Sequence, residues 1–373
     1  MTKVLILIPW FSPAIQAGGP IQSISNLVKK DIDGINFDVF CSNKDLDGHE
    51  LNGIITNQWV NYNNNTRVWY SSSSFPFFQL KKLVDGQQID KIFIIGLYSL
   101  SYNILPWILF NKSNRVISVR GMLHPEALKI KWFKKYIYLL SLKLFDFHKR
   151  VQYHATDDVE KTYINNVLGN DQVVHVAGNF ISYFEGANSI QKKSGRLTLL
   201  TIALISPMKN HLLILKALAQ CKCEIEYHIV GAIKDENYWN DCKEIIKILP
   251  GNISVKFHGQ VEHHEISKLI DGSTVMILPS RSENFGHAII ESLFAGMPVI
   301  TSFQTPWNNL QFHNAGVNIQ PQTDSILEAI EYFASLDHTS YARCSDAAKR
   351  YAHEVYNENI IIQEYKKMFQ IRA

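Results

Sequence analysis

Two carboxylates eight residues apart, Glu283 and Glu291, lie inside the stretch from Ser280 to Ser302, SRSENFGHAIIESLFAGMPVITS. Apolar runs flank it, Thr274 to Pro279 before and Pro298 to Thr301 after. Between them His287 to Ala295 carries a helix pattern closed by Gly296 and Pro298. Strand, turn, helix and strand in that order form the unit of a parallel sheet. Such sheets bind ligands outside the carboxyl ends of their strands, where the turn sits. Glu283 in the turn faces that edge, and Glu291, further along the helix, can turn back toward it. Asn284, Phe285, Gly286 and His287 lead into the helix N-terminus, whose backbone N–H groups favour anionic or hydroxyl-rich ligands. Surface helices also carry paired acids, so the carboxylates alone identify nothing.

Pattern, flanking strands and the continuation Ala295-Gly296-Met297-Pro298-Val299-Ile300 together resemble the donor-site signature of retaining glycosyltransferases, and glycosyltransferase family 4 in particular. The resemblance implies an α/β chain of the GT-B type: two Rossmann-like domains facing a central cleft, with a C-terminal helix crossing back to the first. It implies that Glu291 holds the ribose hydroxyls of a nucleotide-sugar. Glu283, Asn284, Phe285, Gly286 and His287 would hold the donor sugar, and the base would lie near Gly259 to Val261. Retention is implied too, by same-face attack with the leaving phosphate as base, since no protein nucleophile is evident.

The elements that must position these groups follow along the chain. Lys3 to Ile8 is a continuous apolar run, as a parallel strand covered on both faces requires. It leads through Gly18 and Gly19 into a helix from about Ile21 to Lys30. A glycine pair entering a helix lets the backbone approach a phosphate or sugar, although it is also a common turn. The resemblance places Gly19 at the donor diphosphate and Gly18 on the acceptor side. Phe37 to Cys41, Ile92 to Ile95 and Arg115 to Val119 read as further strands. Arg120 and His124, just beyond the last of these, suit a phosphate or a sugar hydroxyl. Arg120-Gly-Met-Leu123 resembles a family 4 motif of bacterial polysaccharide synthesis, where His124 departs from the usual small residue; a reacting-sugar role and a loop-capping role both stay open for it.

In the second half Leu197 to Ala203 is a buried strand followed by Ser206-Pro-Met-Lys-Asn210 and a helix to Ala219. The resemblance places an Arg and a Lys in this turn, both on the donor diphosphate. Lys209 fills the second position. Leu204 falls on the first, which removes one cation from the usual clamp. Trp307, in a polar turn after the central motif, suits either stacking on an acceptor sugar or plain packing.

At 373 residues the chain exceeds what one core usually serves. The expected domains are 1–184 for the acceptor, 185–356 for the donor, and a helix over 357–373 packing back on the first. The polar stretch Glu185 to Gly195 is the expected linker. A hydrophobic share of 46% and a charged share of 19% describe an ordinary globular protein, and a net charge of +3 gives no case for nucleic acid. Five cysteines show no disulfide or metal spacing, which fits a reducing cytoplasm. His263 and His264 lack a partner at i+4 and read as surface groups. The resemblance implies no metal and no cofactor beyond the nucleotide-sugar substrate.

Ile92 to Phe110 is uncharged and long enough to be weighed as a membrane span. Gly96, Ser99, Ser101, Asn103 and Pro106 argue instead for a strand followed by a helix. Glu126 to Arg150 reads as one helical stretch that interleaves seven basic residues with aromatic and apolar ones. Either one apolar face is buried, or the segment meets an anionic membrane surface. The function these readings imply is transfer of a sugar from a UDP- or GDP-linked donor to a saccharide or lipid-diphosphate-linked saccharide, in polysaccharide, O-antigen or capsule synthesis. The alternatives are a degenerate carbohydrate-binding or scaffold relative and a nucleotide-sugar epimerase of GT-B fold.

Overall fold

The computed structural model describes residues 1–110, 114–129, 131–184 and 191–370, and leaves out the side chains of His263 and His264. Residues 185–190 of the expected linker therefore lie outside the described residues. The chain divides into two compact units, Met1–Phe180 with Glu358–Ala373, and Ile181–Asn357. The change of unit comes slightly before the expected boundary after residue 184, and the return to the first unit falls at Glu358.

The first unit is built on an eight-stranded sheet: β1 (Thr2–Leu7), β2 (Ile35–Ser42), β3 (Trp59–Asn63), β4 (Thr66–Ser71), β5 (Lys91–Ile95), β6 (Arg115–Ser118), β7 (Gln152–Ala155) and β8 (Val174–Val176). Their order is β3-β4-β2-β1-β5-β6-β7-β8. Every pairing is parallel except β3 with β4. β1 and β5 are apolar on both faces because helices cover both, and Val4, Ile6 and Phe93 are fully buried. The helix Glu358–Met368 belongs to this unit. Tyr365 stacks on Phe180, Phe369 packs edge-on against Phe93, and Lys30 pairs with Glu358 at 2.7 Å.

Ile92 to Phe110 is a strand, β5, followed by a π-helical turn over Leu100–Ile104 and a short helix, Leu105–Leu109. No helix among the described residues is long and apolar enough to cross a membrane. The basic, aromatic segment is divided, correcting the expectation of one helical stretch. Helices Pro125–Lys129 and Trp132–Leu144 are separated at Lys131 and the second ends before Asp146, both of which take left-handed backbone (φ 53°).

The second unit carries six parallel strands, β9 (Arg196–Ile202), β10 (Glu224–Val230), β11 (Ile253–Gly259), β12 (Val275–Leu278), β13 (Val299–Ser302) and β14 (Gly316–Ile319), in the order β11-β10-β9-β12-β13-β14. One core lies between this sheet and helices His211–Leu218 and Thr323–Ser335, with Leu199, Tyr227, Ile277, Leu215 and Ile330 fully buried. β9 and β12 are neighbours, so the turns after them open side by side at the carboxyl edge. That brings residues 206–210 and 279–287 together.

Candidate active site

The turn after β12 is held from three directions. Ser302 Oγ at the end of β13 donates to Ser280 O (2.5 Å), Glu283 N donates to Gln304 O (3.0 Å), and Trp307 Nε1 donates to Phe285 O (2.5 Å). Gly286 then closes the turn as the residue preceding helix His287–Phe294, with φ 73°, where a side chain would be strained. The N-cap is glycine, so no N-cap side chain bonds this helix start. The first-turn N–H groups of a helix are its exposed donors.

Across from this helix start, Lys209 ends a short helical turn, Pro207–Lys209, ahead of helix His211–Leu218. Its ammonium lies 2.5 Å from Glu283 Oε1, the same oxygen that accepts from Ser280 Oγ at 2.7 Å. A cation, a carboxylate and a helix N-terminus are thus gathered at the carboxyl edge of one parallel sheet. Such a set can take an anion and a polyol next to each other.

The two turns are tied to each other. Arg281 N donates to Met208 O (2.9 Å), Asn210 Nδ2 donates to Pro279 O (2.7 Å), and Arg281 Nε donates to Asn210 Oδ1 (3.3 Å). Arg281 is exposed beside Lys209 and was not singled out by the motif. A basic residue in the turn after a strand that borders the lysine-bearing strand is the signal that could have found it. Leu204 is half-buried and its carbonyl faces His211 Nε2 at 3.3 Å. Burial is the main reason His211 is held down to about 4, with Lys209 adding to it, so the ring is neutral near pH 7.

Glu291 projects from the same helix into a closed environment. Its side chain is buried, Oε1 accepts from Ser182 N at 3.0 Å, and His287 Nδ1 lies 3.8 Å away. Gly259 has φ 64°, its carbonyl accepts from Gly231 N (2.7 Å), and Val261 is half-buried beyond it. Gly231 is sterically required: a Cβ there would meet Ala203 O at 2.0 Å.

Trp307, open to stacking or to packing, is packed into its own turn. The indole is 7% exposed, donates to Phe285 and packs edge-on against that ring, with centroids 5.2 Å apart. It braces the turn through that bond and that ring contact.

The remaining candidates lie in the first unit. Gly18 has φ 69° and precedes helix Gly19–Lys29, and a Cβ at Gly19 would meet no atom within 4 Å, so this helix start is open. Its preceding loop is fixed by Asp45, which accepts from Ile15 N (2.9 Å) and Gln16 N (3.2 Å). Arg120, with φ 50°, is buried and donates through Nη1 to Asn179 Oδ1. Glu160 beside it accepts from Gly121 N and from Thr156 N and Oγ1, so this corner reads as an internal polar brace. His124 Nδ1 accepts from Glu126 N (3.1 Å), which caps helix Pro125–Lys129 and leaves the proton of the neutral ring on Nε2. Burial lowers its pKa, with Glu126 opposing.

Residues 184–351 match the family described as Glycosyl transferases group 1. The alpha-monoglucosyldiacylglycerol synthase of Streptococcus pneumoniae is 29% identical over 184 residues, 47% of this chain and 42% of that protein. The O-antigen chain mannosyltransferase RfbU of Salmonella typhimurium is 23% identical over 244 residues, 62% of this chain and 67% of that protein. The chain thus spans under half of the first relative's length and about two thirds of the second's. Among solved structures, sucrose-phosphate synthase from Thermosynechococcus elongatus superposes with a TM-score of 0.73 at 15% identity, covering 99% of this chain and 98% of that one. Anabaena HepE in complex with UDP and glucose gives 0.71 at 18%, covering 99% and 100%. WaaG, a glycosyltransferase involved in lipopolysaccharide biosynthesis, gives 0.67 at 12%, covering 99% and 100%. Likeness over the whole chain, with two parallel-sheet units, gives the GT-B fold.

Proposed function

We propose that the chain, whose residues 184–351 match the group 1 glycosyltransferases, transfers a sugar, with retention, from a nucleotide-sugar to a saccharide or lipid-linked saccharide acceptor. The observation that carries this reading is the gathering of Lys209, Glu283 and the N-terminus of helix His287–Phe294 at one sheet edge. Lys209 would offset the charge that builds on the departing diphosphate, the main electrostatic task in such a transfer. Glu283 and the N–H groups of Phe285 to His287 would hold the sugar, and Glu291 the ribose. With Lys209 at the phosphates, the reaction is proposed to need no metal ion. A UDP-linked donor is favoured over a GDP-linked one by the likeness to Anabaena HepE in complex with UDP and glucose, and surface-polysaccharide or glycolipid synthesis by the likeness to RfbU, WaaG and the pneumococcal synthase.

An anionic bilayer is the proposed setting. Trp132, Phe133, Tyr136, Ile137, Leu140, Leu144 and Phe145 are each at least half exposed, while Leu142 is the helix residue that is buried. Residues 132, 136, 140 and 144 recur every fourth position, which makes one stripe. Lys129, Lys131, Lys134, Lys143 and Lys149 are exposed around it. Apolar side chains ringed by cations match the interfacial layer of an acidic membrane. The protein would then work at the inner face of the cytoplasmic membrane.

The direct test is turnover of UDP- and GDP-linked sugars with and without EDTA, with the anomeric configuration read by NMR. Transfer with retention supports the reading. Inverted product overturns the mechanism, and epimerised donor without acceptor, or no nucleotide binding at all, overturns the activity in favour of the two alternatives.

A further inference from the structure

The residue on which the resemblance places the first diphosphate cation is Leu204, an aliphatic side chain that cannot bind phosphate. Lys209 is not a free charge either, since Glu283 lies 2.5 Å from its ammonium. A donor with two phosphates approaching this edge would therefore meet one cation already paired and one missing.

Arg281 reaches the same turn from a different strand. Its main chain is fixed to the lysine-bearing turn through Met208 O, and Nε is directed by Asn210 Oδ1, whose own amide is anchored on Pro279 O. Those bonds involve N and Nε only, and neither Nη has a hydrogen-bond partner among the described residues. The side chain is exposed and forms no ion pair among the described residues. Its charge reaches the Tyr238 hydroxyl, which accepts from Leu212 N (2.9 Å) in the first turn of helix His211–Leu218. The guanidinium thus lies at Asn210, the residue that follows Lys209 and precedes helix His211–Leu218. A planar fork with two free nitrogens binds two phosphate oxygens at once, which an ammonium cannot do.

We propose that Arg281 is the second diphosphate-binding cation of this site, replacing from the turn after β12 the residue absent at position 204. The assignment rests on the nucleotide-sugar reading above. Because Arg281 is unpaired and Lys209 is paired, Arg281 makes the first ionic contact with the donor, and Lys209 engages as Glu283 turns to the sugar.

The test compares nucleoside diphosphate with the matching monophosphate, UDP with UMP and GDP with GMP, by calorimetry on the full chain without metal. Wild type is expected to prefer the diphosphate. Arg281→Gln should weaken diphosphate binding about tenfold while changing monophosphate binding less than twofold, and Arg281→Lys should recover part of the loss. The main-chain bond to Met208 survives both changes, so the unliganded melting temperature should hold; if Gln lowers it, the Lys variant carries the comparison. An unchanged diphosphate-to-monophosphate ratio in Arg281→Gln overturns the assignment and leaves the donor reading standing. Wild type that binds neither nucleotide overturns the donor reading itself.

Discussion

Lys209 Nζ and Glu283 Oε1 lie 2.5 Å apart, with side chains that are four-fifths and nine-tenths buried, so the two groups assigned to phosphate and to sugar hold each other. Each is held in place by the other, which pre-forms the site at the cost of a contact the donor must reorganise. Removing Lys209 should lower kcat by about 10² to 10³, the range for losing one transition-state charge contact. Glu283→Gln should act more on donor KM. Because the two are coupled, the double variant should lose clearly less than the sum of the two effects, as measured by kcat/KM in a double-mutant cycle. Strict additivity would mean that the pair does not act as a unit.

Trp307→Phe separates packing from hydrogen bonding. Phe keeps the ring against Phe285 but cannot donate to Phe285 O, so the turn that presents Gly286 loosens. A stability loss of about 1 kcal/mol is expected, with a weaker donor KM and nearly unchanged kcat. Trp307→Ala should cost about 3–5 kcal/mol, as for other buried aromatics. If Trp307→Phe raised acceptor KM alone, the buried role given to the indole would be wrong.

The parallel sheets were legible because apolar runs such as Lys3 to Ile8 and Leu197 to Ala203 have few other uses, and the glycine-closed helix after Glu283 carried its own stop signals. Sequence reasoning could not see that Lys209 and Glu283 pair, since they are 74 residues apart and meet only because β9 and β12 are neighbours. Arg281 was missed for the same reason: its partners Met208 and Asn210 belong to another turn. Trp307 was ambiguous because an indole suits a sugar and a core equally, and only its burial decides. The break at Lys131 was invisible because lysine rarely takes left-handed backbone.

His211 should make stability depend on pH. Its folded pKa is depressed to about 4 by burial, against an ordinary value near 6.5. Between those values the unfolded chain binds a proton that the folded one does not. Stability present above pH 6.5 is therefore lost as pH falls toward 4, by about 1.4 kcal/mol per pH unit from this group. His154, also buried and held well down, pushes the first unit in the same direction. Urea unfolding of wild type and His211→Gln at pH 7 and pH 5 reads the effect. The variant should lose about 2 kcal/mol less over that interval, and an equal loss in both proteins would show that His211 is protonated in the fold.

The exposed stripe on helix Trp132–Leu144 gives the last prediction. Trp132 is 63% and Leu144 74% exposed, so replacing both with Ser removes little packing and should leave the melting temperature nearly unchanged. On vesicles containing phosphatidylglycerol the same change should sharply reduce binding, because those side chains would be the ones entering the interface. Lys134→Glu with Lys143→Glu should weaken it by about tenfold or more, as each lysine near an acidic surface is worth about 1 kcal/mol. Raised salt should mimic the lysine change and spare the apolar contribution. Sedimentation with acidic and neutral vesicles distinguishes the cases. Equal binding to both would remove the charge argument. No binding to either would leave the stripe a surface for something other than lipid.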